Sequence, residues 1–147
     1  MRSGSSEKSS FARFRGQLAW IGSHTRPDLA FEAAFMSQQS EQKDARLCAE
    51  LQRDAMKHLE ETRTQSLVYP QLDLETLQIG VYPDASHKRD SDSSQCGYII
   101  LLGDSTKRAN ILHWNSAKPR RLTRSSLAAE TAACITAIDI ATVMKFE

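Results

Sequence analysis

Apolar positions in the first third of the chain recur at helical spacing. Phe11, Phe14, Leu18 and Ile21 fall at i, i+3, i+7 and i+10, one face of a helix beginning near Ser10. Residues 1–10 read as a flexible leader, and Gly22-Ser23 as the helix end. Thr25-Arg26-Pro27-Asp28 then carries the marks of a helix start: a hydroxyl cap, a first-turn proline and an acid near the positive end of the dipole. Phe31, Ala34 and Phe35 continue that helix to about Ser40. A third helix, about Lys43 to Thr62, aligns Leu47 or Cys48 with Leu51, Ala55 and Leu59, and charges such as Glu50, Asp54 and His58 fill its other face.

The period changes near Ser66. Ser66-Leu67-Val68-Tyr69 is a short strand candidate stopped by Pro70. Leu77 to Tyr82 alternates and ends at Pro83-Asp84, and a polar loop runs from His87 to Ser94. Cys96 to Leu102 is an apolar, β-rich run, expected to be well buried. Gly103-Asp104 turns the chain. Ala109 to Asn115 alternates again, with Ile111 and His113 on one side and Leu112 and Trp114 on the other. After a polar stretch from Ser116 to Ser125, Ser126 to about Lys145 reads as a helix. The expected class is α/β: a helical block over residues 11–65, then a β-β-β-α unit over 66–147 with antiparallel neighbours.

Composition narrows the function classes. At 147 residues, 40% hydrophobic and 25% charged, the chain has the make-up of an ordinary globular domain. Nineteen basic against 18 acidic residues leave +1, so no global basic field points to nucleic acid. Cys48, Cys96 and Cys134 are odd in number and form no CxxC pair. That argues against a disulfide framework or zinc site and for a reducing, intracellular compartment. Leu127 to Met144 is the most apolar stretch, and Glu130 and Asp139 interrupt it, so no membrane span is expected. The Ser-rich N-terminus, with Arg2, Lys8, Arg13 and Arg15 against Glu7, has the composition of a transit peptide or a leader.

Two carboxylates stand out. Asp84 ends a predicted central strand, and Glu130 lies about one turn into the last helix. A helix packed over the sheet would bring them together, as in sites where paired carboxylates hold the divalent cations of phosphodiester hydrolysis. The other reading is a turn aspartate and a solvated helix glutamate. Lys118, Arg120, Arg121 and Arg124 form the one concentrated basic stretch, directly before a helix N-terminus. With the hydroxyls of Ser125 and Ser126 it makes a phosphate-backbone site, or else a solvated loop. His87, Asp90 and Asp92 read as surface loop, and Tyr98, Trp114 and His113 as sheet packing.

Several segments taken together resemble one family. Phe14-Arg15-Gly16-Gln17-Leu18-Ala19-Trp20-Ile21 and Thr25-Arg26-Pro27-Asp28-Leu29-Ala30-Phe31 resemble the "TRPD" region after the reverse transcriptase core of copia-type LTR retrotransposon polymerases. Tyr82-Pro83-Asp84-Ala85-Ser86 resembles the ribonuclease H strand end with the first catalytic aspartate. Gln95 to Ile100 resembles the second strand and Leu112 to Lys118 the third. Arg124 to Thr131 resembles the helix of the catalytic glutamate. The likeness covers about residues 14–147.

The resemblance implies a ribonuclease H-like fold cutting RNA in RNA–DNA hybrids with two Mg2+ ions, held in part by Asp84 and Glu130, with the basic run positioning the hybrid. The family's third acid lies on a fourth strand beyond this helix. Asp139, nine residues after Glu130, falls on the opposite helix face and does not replace it. Without the fourth strand, Leu77 to Tyr82 exposes a hydrogen-bonding edge, so a protein partner covering it is expected. The expectation is a truncated ribonuclease H-like domain inactive alone; the alternatives are a repurposed, non-enzymatic subunit of a larger assembly and a nucleic-acid-binding remnant.

Overall fold

The phenylalanine–leucine stripe of the first segment does what its period predicts. In the computed structural model, which describes residues 4–39, 43–86, 95–119 and 125–146, helix α1 spans Gly4–His24 and buries Phe11 and Leu18, with Phe14 and Ile21 packed beside them. The helix starts at Gly4, so residues 4–10, read as a leader, are helical. Once a helix is nucleated, each added residue costs little, and no proline interrupts 4–10. Nor does Gly22 end it. A Cβ there would stand 3.2 Å from the Leu29 carbonyl oxygen, so glycine permits the following corner to fold back closely.

Pro27–Leu29 forms one turn of 3-10 helix and α2 spans Ala30–Ser37. Thr25 does not cap this start. Its hydroxyl donates back to the Ile21 carbonyl at 3.3 Å, and Arg26 holds the cap position without a side-chain cap bond. The buried positions are Leu29, Ala33 and Met36, whereas Phe31 is 53% exposed and stacks on Phe35. The 3-10 turn advances three residues per turn and so shifts the phase predicted for an unbroken α-helix.

Helix α3 spans Ala45–Glu61, capped by the Asp44 carboxylate, which accepts from the Leu47 N–H at 2.9 Å. Cys48 and Ala55 are buried, with Leu51 and Leu59 alongside. The chain divides into two compact units, Met1–Leu67 and Val68–Glu147; α1, α2 and α3 belong to the first.

Ser66 to Tyr69 does not form a strand. Val68 and Tyr69 are exposed, and Pro70 brings no N–H to a ladder. Within the second unit the chain from Pro70 is held against the β-hairpin. Asn110 donates to the Pro70 carbonyl at 3.2 Å, and the Asp73 N–H donates to Asp104 at 2.9 Å. Leu74–Thr76 makes a 3-10 turn capped by Asp73.

Three antiparallel strands follow, β1 (Gln78–Ser86), β2 (Gln95–Gly103) and β3 (Ala109–Ala117), in spatial order β1-β2-β3, and α4 spans Ser126–Phe146. The fold is thus mixed α/β, with four α-helices and one three-stranded sheet among the described residues. Strand β1 does not stop at Pro83, which pairs with Tyr98. Among the described residues β1 is an edge strand, the position where a residue lacking N–H is tolerated.

Between Ile100 and Leu101 the ladder to β3 shifts register, pairing Ile100 with His113 and Leu101 with Ile111, so Leu112 is the extra residue of a bulge. Ile111 and His113 therefore lie on opposite faces, not on one as their spacing predicts. Helix α4 lays Ala129, Ala133, Ala137 and Ala141 on the sheet, where Tyr98, Ile100 and the half-buried Val81 meet it. Among the described residues of this unit, α4 covers β2 on that face; Ile99, on the other, is 40% exposed, less buried than its apolar run predicts.

Candidate functional site

Asp84 lies in β1 opposite Gly97. Alternation from Val81, which packs under α4, assigns Pro83 and Ala85 to the covered face and Tyr82, Asp84 and Ser86 to the open one. Burial follows the same rhythm, each of the latter three being exposed. Glu130 sits beside the first alanine of the buried stripe, Ala129, and is exposed.

One thiol relates the two carboxylates. Cys96, paired with Ala85, lies within 3.9 Å of the Ala129 carbonyl, to which it donates. Burial first, and then the negative charge of Asp84, pushes that thiol up from its ordinary value. The strand end and the helix start therefore meet at one end of the sheet. They meet with Asp84 on the face α4 leaves open.

The donor set does not fit a pair of magnesium ions. Among the described residues no three His, Cys, Asp or Glu side chains gather around a common point. Two exposed carboxylates divided between sheet faces cannot supply the oxygen shells such ions need. His87, Asp90 and Asp92 lie outside the described residues, and Asp139 is exposed on α4 away from the sheet.

The basic run is divided the same way. Lys118 is exposed just after β3; Arg120, Arg121 and Arg124 lie outside the described residues. Ser125 caps α4, its hydroxyl accepting from the Ala128 N–H and its carbonyl from the Ala129 N–H, each at 3.2 Å. That occupies an orphan donor of the helix start, one of those expected to bind phosphate. Tyr98 is buried and stacks on His113 with ring centroids 5.6 Å apart, and Trp114 is half-buried, in keeping with sheet packing.

Helix α4 has the expected bounds but departs from the expectation that no stretch is long and apolar enough for a membrane span. Glu130 and Asp139 notwithstanding, Ser126–Met144 is long and apolar enough to cross a membrane by those two measures alone. A core helix passes the same test, and its alanine stripe is seated on the sheet.

A polar cluster in the first unit escaped the sequence reading. Arg26 donates to both oxygens of Asp28, at 2.8 and 2.6 Å, and to the Thr62 hydroxyl at 2.5 Å; His58 Nε2 lies 2.9 Å from Asp28 Oδ2. The Arg26 bonds, aided by His58, hold the Asp28 carboxyl at about 2 against the upward push of partial burial. The cluster ties the corner after α1 to the last turn of α3. His58 one turn before Thr62 was its only sequence signal. Comparison with protein families, with curated proteins and with solved structures finds no match for this chain.

Proposed function

We propose that the chain is a retroelement-derived, ribonuclease H-like fragment that works as a docking module for a protein partner and not as a nuclease on its own. The observation that carries this reading is what the second unit leaves uncovered. Helix α4 turns alanines to the sheet and leaves Leu127, Ile135, Ile138 and Val143 at least half exposed. Strand β1 has no neighbour on its outer side among the described residues. Apolar side chains and an unpaired edge on one small unit are the features that pairing with another chain removes. The order β-β-β-α, with Asp84 and Glu130 at one end, supports the ribonuclease H-like descent. The split of those carboxylates between faces supports the lack of autonomous cleavage.

The test pairs an activity assay with an association assay. Wild type and Asp84→Asn are incubated with an RNA–DNA hybrid and Mg2+, and wild type and Ile135→Glu/Ile138→Glu are compared by sedimentation. No cleavage by folded protein, with association abolished in the double variant, is the expected result. Metal-dependent cleavage lost in Asp84→Asn would overturn the docking reading in favour of an enzyme. Hybrid binding that is steep in salt and lost on Arg120→Ala with Arg121→Ala would overturn it in favour of a nucleic-acid binder.

A further inference from the structure

Within the N-terminal unit, α1 and α3 leave an apolar groove of about 470 Å3. Leu18 forms part of its lining with Phe14 and Ile21 from α1 and Met56 and Leu59 from α3. Trp20, also lining it, is 61% exposed and Met56 52%. An exposed tryptophan on a concave apolar surface is the residue type and setting of an interface anchor, and methionine lets such a surface adapt to its ligand.

The rim is mainly basic, since its acid, Glu60 one turn after Met56, lies 3.8 Å from Arg63. Arg13, Gln17, Trp20 and His24 fall at i, i+4, i+7 and i+11, one stripe along α1, and all four are exposed. From Ser10 to His24 the helix holds Arg13 and Arg15 and no acid. Opposite, Arg53 lies one turn before Met56. Among the described residues neither Arg13, Arg15 nor Arg53 is in an ion pair, whereas Arg26, Arg46, Lys57, Arg63 and Arg108 each have a carboxylate partner.

We infer that this groove docks an acidic amphipathic peptide helix, its apolar stripe between Trp20 and Met56 and its carboxylates beside Arg13 and Arg53. The rim from Arg13 to His24 runs about 16 Å, the length of about three turns of ligand helix. The chemistry favours a peptide over stacked bases because one face of Trp20 is already taken: His24 stacks on it with centroids 4.9 Å apart and its Nδ1 lies 2.8 Å from the Trp20 carbonyl. This site belongs to the first unit and does not rest on the docking proposed for the second.

The test uses the full chain and a fluorescent synthetic peptide of about 14 residues, with leucines at i, i+4, i+7 and i+11 and glutamates between them. Its twin has lysine for every glutamate, and oligothymidylate serves as competitor. The glutamate peptide is expected to bind at least about tenfold tighter than the lysine twin, and to lose at least about tenfold on Arg13→Glu or Met56→Glu. Both substitutions fall on exposed positions, and circular dichroism checks that helicity is kept. Arg13→Glu is also expected to strengthen binding of the lysine twin, which a merely misfolded variant would not do. Equal binding of the two peptides, indifference to both substitutions, absence of binding, or displacement by oligothymidylate would each overturn the proposal.

Discussion

The two units bury different kinds of side chain. In the N-terminal unit the fully buried residues include Leu18, Leu29, Met36 and Cys48, contributed by all three helices and the corner between α1 and α2. Among the described residues of the C-terminal unit Ile100 is the one large side chain buried to that degree, and α4 meets it with Ala137 and Ala141. An alanine stripe lets a helix lie close to a sheet, but each methyl removes little apolar area from water, and stabilisation scales with that area at roughly 25 cal/mol per Å2. Ile140 and Met144 pack partly against this core, whereas Leu127, Ile135, Ile138 and Val143 face outward. Burial thus separates a unit built round several large buried side chains, which still leaves Trp20 and Met56 exposed, from one that buries mainly alanines and leaves most of its helix's large side chains for something else to cover.

Truncating matched core positions tests the comparison most severely. Ile100→Ala and Leu18→Ala should each cost about 2–5 kcal/mol. With few other large buried side chains, the C-terminal unit should lose its urea transition in Ile100→Ala, while Leu18→Ala should only shift that of the N-terminal unit. Two-probe melts check this, with Trp20 emission followed in a Trp114→Phe background for the first unit and Trp114 emission in a Trp20→Phe background for the second. A single transition moved equally by both variants would mean that the units unfold as one body, and the contrast would fail.

Acid sharpens the contrast next, because the paired carboxylate at the corner is a device of the first unit. The Asp28 carboxyl is held at about 2, below its ordinary 3.8. Its contribution is therefore fully present above about pH 4 and is lost as pH falls toward 2. With Asp28 more than a third exposed, solvent screening limits Arg26→Ala to about 1 kcal/mol at neutral pH. The difference between variant and wild type should shrink as pH falls through 2 toward what the Arg26–Thr62 hydrogen bond alone contributes, measured on the N-terminal transition. In the second unit Asp104 plays a related part in the β2–β3 turn. The Thr106 hydroxyl, and then the Asp73 N–H, hold it well below the usual carboxylate range.

The smallest expected effect lies in that same turn. Lys107 has φ of 64°, the only non-glycine residue with positive φ among the described residues, so the C-terminal unit carries a backbone strain that the first does not. Lys107→Gly relieves it at the expense of a more flexible unfolded chain, and a net gain of about 0.5 kcal/mol in the C-terminal transition is expected. A loss instead would mean that the turn is set by Asp104 and its partners and not limited by Lys107.

Particular residues mark how far the sequence could be read. The α1 stripe was legible because Phe11, Phe14, Leu18 and Ile21 repeat at the helical period, β1 and β3 because they alternate, and β2 because Cys96 to Leu102 is a short apolar run between turn residues. The phase of α2 was not, since one 3-10 turn at Pro27–Leu29 rotates every later position. Of the candidate site, the placing of Asp84 and Glu130 toward one end of the sheet followed from strand order. The face each occupies did not.

By itself, then, the sequence determined the local periods, the mixed α/β class, the antiparallel order of the hairpins and the start of α3. Each of these depends on residues within a few positions of one another along the chain. Only the tertiary structure decided which face of β1 carries Asp84, that Pro83 sits inside an edge strand, that Leu112 bulges out of β3, and that Arg26, Asp28, His58 and Thr62 converge. Those outcomes depend on pairing partners tens of residues away. A shift of one residue in such pairing reverses every side chain's face while leaving the local pattern unchanged.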